Sequence, residues 1–217
     1  MKRVALIVSG GTGTRMNSKI PKQFLLLKGM PVLMQTIKQF SAFDKVILVL
    51  GKKQFILWKK LCNKYNFKIM HTLIEGGNSR FQSVKNGLAI VNNNELVAIH
   101  DGVRPIISKN LIDKLINKTK KGICVIPVIP VKDSIRKIDK ITSQQVDRSN
   151  LFMVQTPQCF ISDDIKQAYN QEFSNSFTDD ASVFENYNGE IATSEGEEKN
   201  IKITTEEDLN IAEKFMQ

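Results

Sequence analysis

An α/β fold, with a mostly parallel sheet covered by helices on both faces, is what this sequence predicts, and three observations predict it. Short β-branched runs recur through the first two-thirds of the chain, longer helix-like segments separate them, and the runs are apolar at successive positions rather than alternate ones. A strand with one wet face alternates apolar and polar residues, whereas a strand buried on both faces reads as a continuous apolar run. Strands of that kind joined through helices pair in parallel.

The first run is "VALIV" at residues 4–8; "KVILVL" at 45–50, "FKIMHTL" at 67–73, "LVAIH" at 96–100 and "ICVIPV" at 123–128 follow as strands. Helices are expected between them at 32–40, 53–65, 80–91 and 110–120. The last third breaks this rhythm. "KDSIRKIDKITSQQVDRSNLF" is polar and modestly alternating, and it predicts a β-hairpin standing off the main sheet. Helices are expected next at 163–172 and 178–187, then a short strand at "IKI" and a closing helix in "TTEEDLNIAEKFM", with Thr204 and Glu207 spaced as a capping box. With no internal repeat and no low-complexity linker, residues 1–217 form one domain carrying a β-arm at about 133–156.

The chain of 217 residues is 41% hydrophobic and 24% charged, an ordinary globular balance. No apolar run approaches the roughly 20 residues that span a bilayer, and the N-terminus passes from "MKR" straight into a strand, so a cytoplasmic protein without a membrane partner is expected. Cys62, Cys124 and Cys159 are widely spaced and odd in number, which points to neither a disulfide framework nor a zinc site. His71 and His100 are too few and too far apart for a metal cluster and are read as structural. A net charge of +9 invites a nucleic-acid reading. The lysines, however, are scattered, and 7% aromatic content with no binding-module signature favours solvated helix faces over an RNA surface.

The chemistry begins in "VSGGTGTRMNSKIPKQF", which follows the first strand. Glycines let backbone N–H groups close around an anion, so Ser9, Gly10, Gly11 and Gly13 form a candidate phosphate cradle. A Walker loop is excluded because no Gly-Lys-Ser/Thr is present, and a dinucleotide fingerprint fails because Met16 stands where its third glycine belongs. What remains is a glycine loop with Arg15 and Lys22 behind it, suited to stabilising charge on a reacting phosphate; the alternative is a glycine turn beside two solvated cations. "EGGNSRFQS" adds Gly77, Asn78 and Ser83 at a helix mouth, where they either read a base edge or simply begin the helix, with Asn78 or Ser79 as its cap and Arg80 solvated. "HDGVRP" adds Asp101, Gly102 and Arg104 at a strand end, a ribose and phosphate site or an ion pair tying a turn.

Taken in order, "GGTGTRM", "PKQF", "EGGNSR", "HDGVRP", "PVKDS", "VDRSNL", "QTPQ", "TDDAS" and "NIKIT" resemble the 2-C-methyl-D-erythritol 4-phosphate cytidylyltransferase (IspD) family, over nearly the whole chain. The resemblance implies a Rossmann-like nucleotide-diphospho-sugar transferase fold. It implies that CTP and methylerythritol phosphate give a cytidine diphosphate sugar alcohol and pyrophosphate, with Mg²⁺ bound mainly through the CTP phosphates and no metal ligand assigned to the protein. By matching position, Arg15, Lys22, Arg148 and Lys202 are the expected catalytic residues. Ser9, Gly10, Gly11, Gly13, Gly77, Asn78, Ser83, Asp101 and Gly102 are expected to bind CTP, and Arg104, Ser134, Arg148, Thr156 and Lys202 the sugar phosphate. Ser9 and Gly10 stand where many relatives have two alanines, and Asn78 where an acid is frequent. Asp179 and Asp180 are read first as first-turn helix acids. The arm is expected to embrace a second subunit and place Arg148 in its partner's site. Ribitol-5-phosphate cytidylyltransferase is the neighbouring activity with the same loop, and an RNA-binding protein on the same scaffold is the reading from another class.

Overall fold

The computed structural model describes residues 1–10, 20–139 and 141–216. Arg15, Gly11 and Gly13 fall outside the described residues. In chain order the elements are β1 (Arg3–Val8), a two-stranded ribbon of β2 (Leu26–Leu27) and β3 (Met30–Pro31), α1 (Val32–Gln39), β4 (Lys45–Leu50), α2 (Phe55–Lys64), β5 (Thr72–Glu75), α3 (Arg80–Leu88), β6 (Leu96–Asp101), α4 (Lys109–Lys118) and β7 (Ile123–Pro130). Then come β8 (Ile135–Ile138), β9 (Ser143–Val146), β10 (Phe152–Val154), β11 (Gln158–Ile161), α5 (Ser162–Ala168), α6 (Asp180–Asn186), β12 (Glu190–Glu195) and α7 (Glu206–Phe215).

The eight-stranded sheet runs β10-β7-β11-β6-β1-β4-β5, with β12 beside β7. β1 lies at its centre, parallel to β4 and β6, so that Val8 is level with Val49 and Asp101. β4–β5 and β7–β12 are also parallel, while β11 runs antiparallel between β6 and β7 and β10 antiparallel to β7.

Successive residues of β1 enter opposite cores. Ala5 and Ile7 pack with α1, α2 and α4 through Leu33, Ile37, Trp58 and Leu115, whereas Val4 and Leu6 pack with α3, α5 and α6 through Val84, Ile165 and Phe184. Period-two side-chain direction across a doubly covered strand produces this split, and it is why no polar residue interrupts the run. The carboxyl ends of β1, β4 and β6 consequently open onto one rim of the sheet. In open parallel sheets that rim is where ligands bind.

Several local expectations shift. The strand expected at 67–73 is instead β5, because Asn66 adopts a left-handed backbone (φ 47°) and turns Phe67 edge-on to Trp58, 5.9 Å between ring centres. "IKI" joins no ladder, though Ile203 N donates to Val103 O, and the strand in this region is the earlier β12. The capping box of α7 is one residue on, formed by Thr205 and Asp208. β8 and β9 make the separate hairpin, residues 135–146, while β10 returns to the main sheet.

Candidate active site

A cleft of about 560 Å³ lies at the carboxyl ends of the central strands, lined by Val8, Ser9 and Gly10 after β1, Lys22 and Gln23, the turn from Gly77 to Arg80, Ser83, Asp101, Val103 and Lys202. Local structure places each. β1 delivers Ser9, whose N–H continues the ladder onto Val49 O at 2.9 Å, and Gly102 N does the same onto Val8 O. Gly102 is required there, since a Cβ would stand 2.8 Å from that of Ser9.

The turn into α3 is capped by Ser79, whose hydroxyl accepts from Gln82 N at 3.0 Å. Ser83 fixes the cleft side of that turn: its hydroxyl donates to Ser79 O at 2.8 Å and accepts from Gly77 N at 3.1 Å. Arg80 is not a freely solvated cation but a paired, partly buried one. Its fork donates Nη1 to Asp180 Oδ1 at 2.8 Å and Nη2 to Oδ2 at 2.6 Å, and its Nε edge lies 3.9 Å from Asp101 Oδ1. Tyr169 donates its hydroxyl to the same fully buried Asp180. Burial opposes the Arg80 charge, but Asp180 outweighs it and holds the guanidinium more firmly protonated than usual.

Asp101 is the electrostatic hub. Lys202 Nζ approaches its Oδ2 at 3.0 Å and Arg104 Nε at 3.2 Å. Burial pushes the carboxyl up, yet Arg80, Lys202 and Arg104 together pull it well below the usual carboxylate range. Behind it sits His100, fully buried. Its Nε2 is 2.9 Å from Arg104 O, which can only accept, so Nε2 carries the hydrogen; Nδ1 accepts from the Thr156 hydroxyl at 3.0 Å, and Thr156 Oγ1 accepts from Asp101 N. Burial depresses this imidazole to about 4.

The structure therefore brings Ser9, Gly10, Lys22, Gly77, Asn78, Ser83, Asp101 and Lys202 around one cleft, with Gly102 beneath it. Arg104 and Thr156 sit one layer behind: Arg104 Nη1 is committed to Asn200 O at 2.7 Å, and Thr156 is buried against His100. Ser134 and Arg148 are exposed on the arm and do not line the cleft; Arg148 donates to Lys132 O. Asp179 is the α6 cap, as a helix-start acid should be. Sequence reasoning missed Gln23 and the inward role of Asp180. For Asp180 a signal existed: of two adjacent acids opening a helix, one caps and the other is turned elsewhere.

Lys22, Arg80 and Lys202 face the cleft with Asp101 as the carboxylate among its described lining residues, an arrangement suited to a polyanion. The family model of 2-C-methyl-D-erythritol 4-phosphate cytidylyltransferase matches residues 3–217. A protein of that name from Azobacteroides pseudotrichonymphae is 50% identical over 218 residues, covering 98% of this chain and 97% of its own length. One from Bacteroides fragilis is 47% identical over 215 residues, covering 98% of each. Among solved structures, 4-diphosphocytidyl-2C-methyl-D-erythritol synthase from Anaerococcus prevotii superposes with a TM-score of 0.81 at 31% identity, covering 100% of this chain and 96% of that one. With a match of that extent, the chain belongs to the IspD family of 2-C-methyl-D-erythritol 4-phosphate cytidylyltransferases.

Proposed function

We propose that this protein joins CTP to 2-C-methyl-D-erythritol 4-phosphate, releasing pyrophosphate, as a step of isoprenoid precursor synthesis. The observation that carries the reading is the meeting of Lys202 and Asp101, 3.0 Å apart in a cleft that also contains Lys22. A phosphate oxygen of the sugar attacks the α-phosphorus of CTP, the bond from that phosphorus to the β-phosphate bridge breaks, and pyrophosphate leaves with the electron pair. Two anions must approach each other, so fixed cations on either side lower the barrier without a protein nucleophile.

We assign Ser9, Gly10, Gly77, Asn78 and Ser83 to the cytidine, with Asp101 and Gly102 at the ribose and Gly11 and Gly13 at the triphosphate. Arg15 and Lys22 stabilise the transferring phosphorus, and Lys202 holds the incoming phosphate. Arg104 and Thr156 serve that site by fixing Asp101 from behind, beyond their expected contact with the sugar phosphate. The divalent cation is expected to arrive on the triphosphate of CTP, with no protein ligand assigned to it. Mg²⁺ carried by the CTP phosphates would neutralise triphosphate charge, while Asp101, already paired with Arg80, Lys202 and Arg104, stays with the ribose.

A homodimer through the arm completes the proposal. Among the described residues the two-stranded hairpin has no other strand beside it, and it exposes Ile138 and Ile141, while the neighbouring β10 exposes Phe152 and Met153. An isolated hairpin with bare apolar side chains is marginal until something covers it. The partner's arm would bring Ser134 and Arg148 to the sugar phosphate. No helix among the described residues is long and apolar enough to cross a membrane, and we place the reaction in the cytoplasm.

The test is pyrophosphate release with CTP and, in parallel, methylerythritol phosphate, ribitol 5-phosphate and glucose 1-phosphate. Release with the first alone is expected. Equal or faster release with ribitol 5-phosphate would move the assignment to that acceptor, and none with any would end it.

A further inference from the structure

Lys22 opens a three-residue 3-10 turn, Lys22–Phe24, whose other two side chains are buried, Gln23 at 1% exposure and Phe24 at 4%. Phe24 is an apolar anchor stacked on Trp58. Gln23 is different in kind, because burying a primary amide is unfavourable unless its hydrogens find acceptors. They do: Nε2 donates to Ser9 O at 3.1 Å and to Gln54 Oε1 at 3.1 Å. One amide therefore ties the Lys22 turn to the end of β1 and to the segment that follows β4. Methionine would occupy a similar volume without the desolvation cost, so the position uses the direction of the two bonds.

We propose that Gln23 is a positioning residue for the transfer reaction, its amide fixing the turn so that Lys22 stands at a set place relative to the nucleotide-binding end of β1. The proposal rests on the reading of the cleft as a cytidylyltransferase site. Cations that stabilise a transition state must already be in place when charge develops, and misplacement by about 1 Å costs up to roughly 10²-fold in rate. Gln23 acts through Lys22, since its amide hydrogens are committed to Ser9 O and Gln54 Oε1.

The experiment is a double-mutant cycle on kcat for pyrophosphate release with CTP and methylerythritol phosphate, using Gln23→Met, Lys22→Ala and the pair, with Tm measured alongside. Gln23→Met is expected to lower kcat by roughly 30-fold and to leave KM for CTP within about threefold, whereas in the Lys22→Ala background its further effect stays below about twofold. The same factor in both backgrounds, or an unchanged kcat, overturns the proposal.

Gln23→Glu supplies a second readout that does not depend on how Gln23→Met folds. Its carboxylate has no hydrogen for either acceptor, but the protonated acid has one to give. Its kcat relative to wild type should therefore rise as pH is lowered from about 8 to 5.5, through the range that a buried carboxyl facing two oxygens titrates in. A flat ratio would refute positioning by hydrogen bond. Wild-type protein inactive with every acceptor would refute the reaction itself, an outcome distinct from any of these.

Discussion

Arg80 and Asp180, a hundred residues apart in sequence, face each other as a bidentate pair behind the cleft, with both terminal nitrogens of the guanidinium engaged at 2.8 and 2.6 Å. Asp180 is fully buried and also receives the Tyr169 hydroxyl, so the carboxylate has no water to fall back on. The pair binds α3 to α6 and leaves only the Nε edge of Arg80 toward Asp101.

Removing Asp180 leaves the partly exposed Arg80 guanidinium without its partner, the buried Tyr169 hydroxyl without its acceptor and a cavity where the carboxylate stood. Asp180→Ala should therefore lower unfolding free energy by about 3–5 kcal/mol in urea titration, while Tyr169→Phe costs about 1 kcal/mol by losing one hydrogen bond. If Asp180→Ala cost no more than Tyr169→Phe, the pair would not be the tie between these helices.

His100 makes stability depend on pH in a defined window. The folded imidazole is held neutral down to about 4, while the unfolded one takes up a proton near its ordinary 6.5. As pH falls through 6.5 the unfolded state binds a proton that the folded state refuses, so stability is complete above 6.5, declines below it and stops declining, for this group, near 4. The span corresponds to about 3 kcal/mol. His100→Gln should be less stable at pH 7 but show a shallower loss between pH 6.5 and 4; parallel curves for the two proteins would show that another group titrates there.

The contrast between what the sequence made legible and what it did not has a physical cause. β1, β4, β6 and β7 could be read because both their faces are buried, which leaves a continuous apolar signature. β12, "EIATSE", is half exposed and pairs with β7 alone, so it lacks one. β11 is buried throughout, yet it begins with Gln158, whose amide bonds Asp179 and Ala181 across more than twenty residues. The site divides in the same way. Lys22, Asp101 and Lys202 sit in recognisable blocks, whereas Gln23 and Arg80 acquire their roles from partners 14, 31 and 100 positions away, which no local pattern encodes.

Lys202 is half exposed, so its ion pair with Asp101 adds little stability, and the role proposed for it in the reaction is what a substitution tests. Lys202→Met should lower kcat/KM for the sugar phosphate by about 10²-fold, in line with the loss of one preorganised charge, while CTP affinity by direct titration changes less than about threefold. Arg15→Ala and Lys22→Ala should lower kcat to a comparable degree with the fold intact by circular dichroism. A Lys202→Met enzyme that lost CTP affinity and sugar-phosphate turnover equally would place this lysine on the nucleotide instead.

The arm poses a question that a mixing experiment answers. Arg148 is exposed and donates to Lys132 on its own arm, away from the lining of its own chain's cleft, so it reaches a reacting phosphate from this position only if a second copy presents its cleft to the arm. If the proposed dimer forms, Arg148→Ala and Lys22→Ala proteins should each be nearly inactive on their own. In a mixed dimer one cleft would combine its own Lys22 with the partner's Arg148, while the other would lack both. Random exchange of equal amounts makes half the dimers mixed, and half the clefts of those intact, so activity should recover to about a quarter of wild type. Activity that stays at the level of the separate variants after subunit exchange, verified by mass, would mean that each cleft draws both residues from one chain, and that the arm folds back onto its own body during turnover.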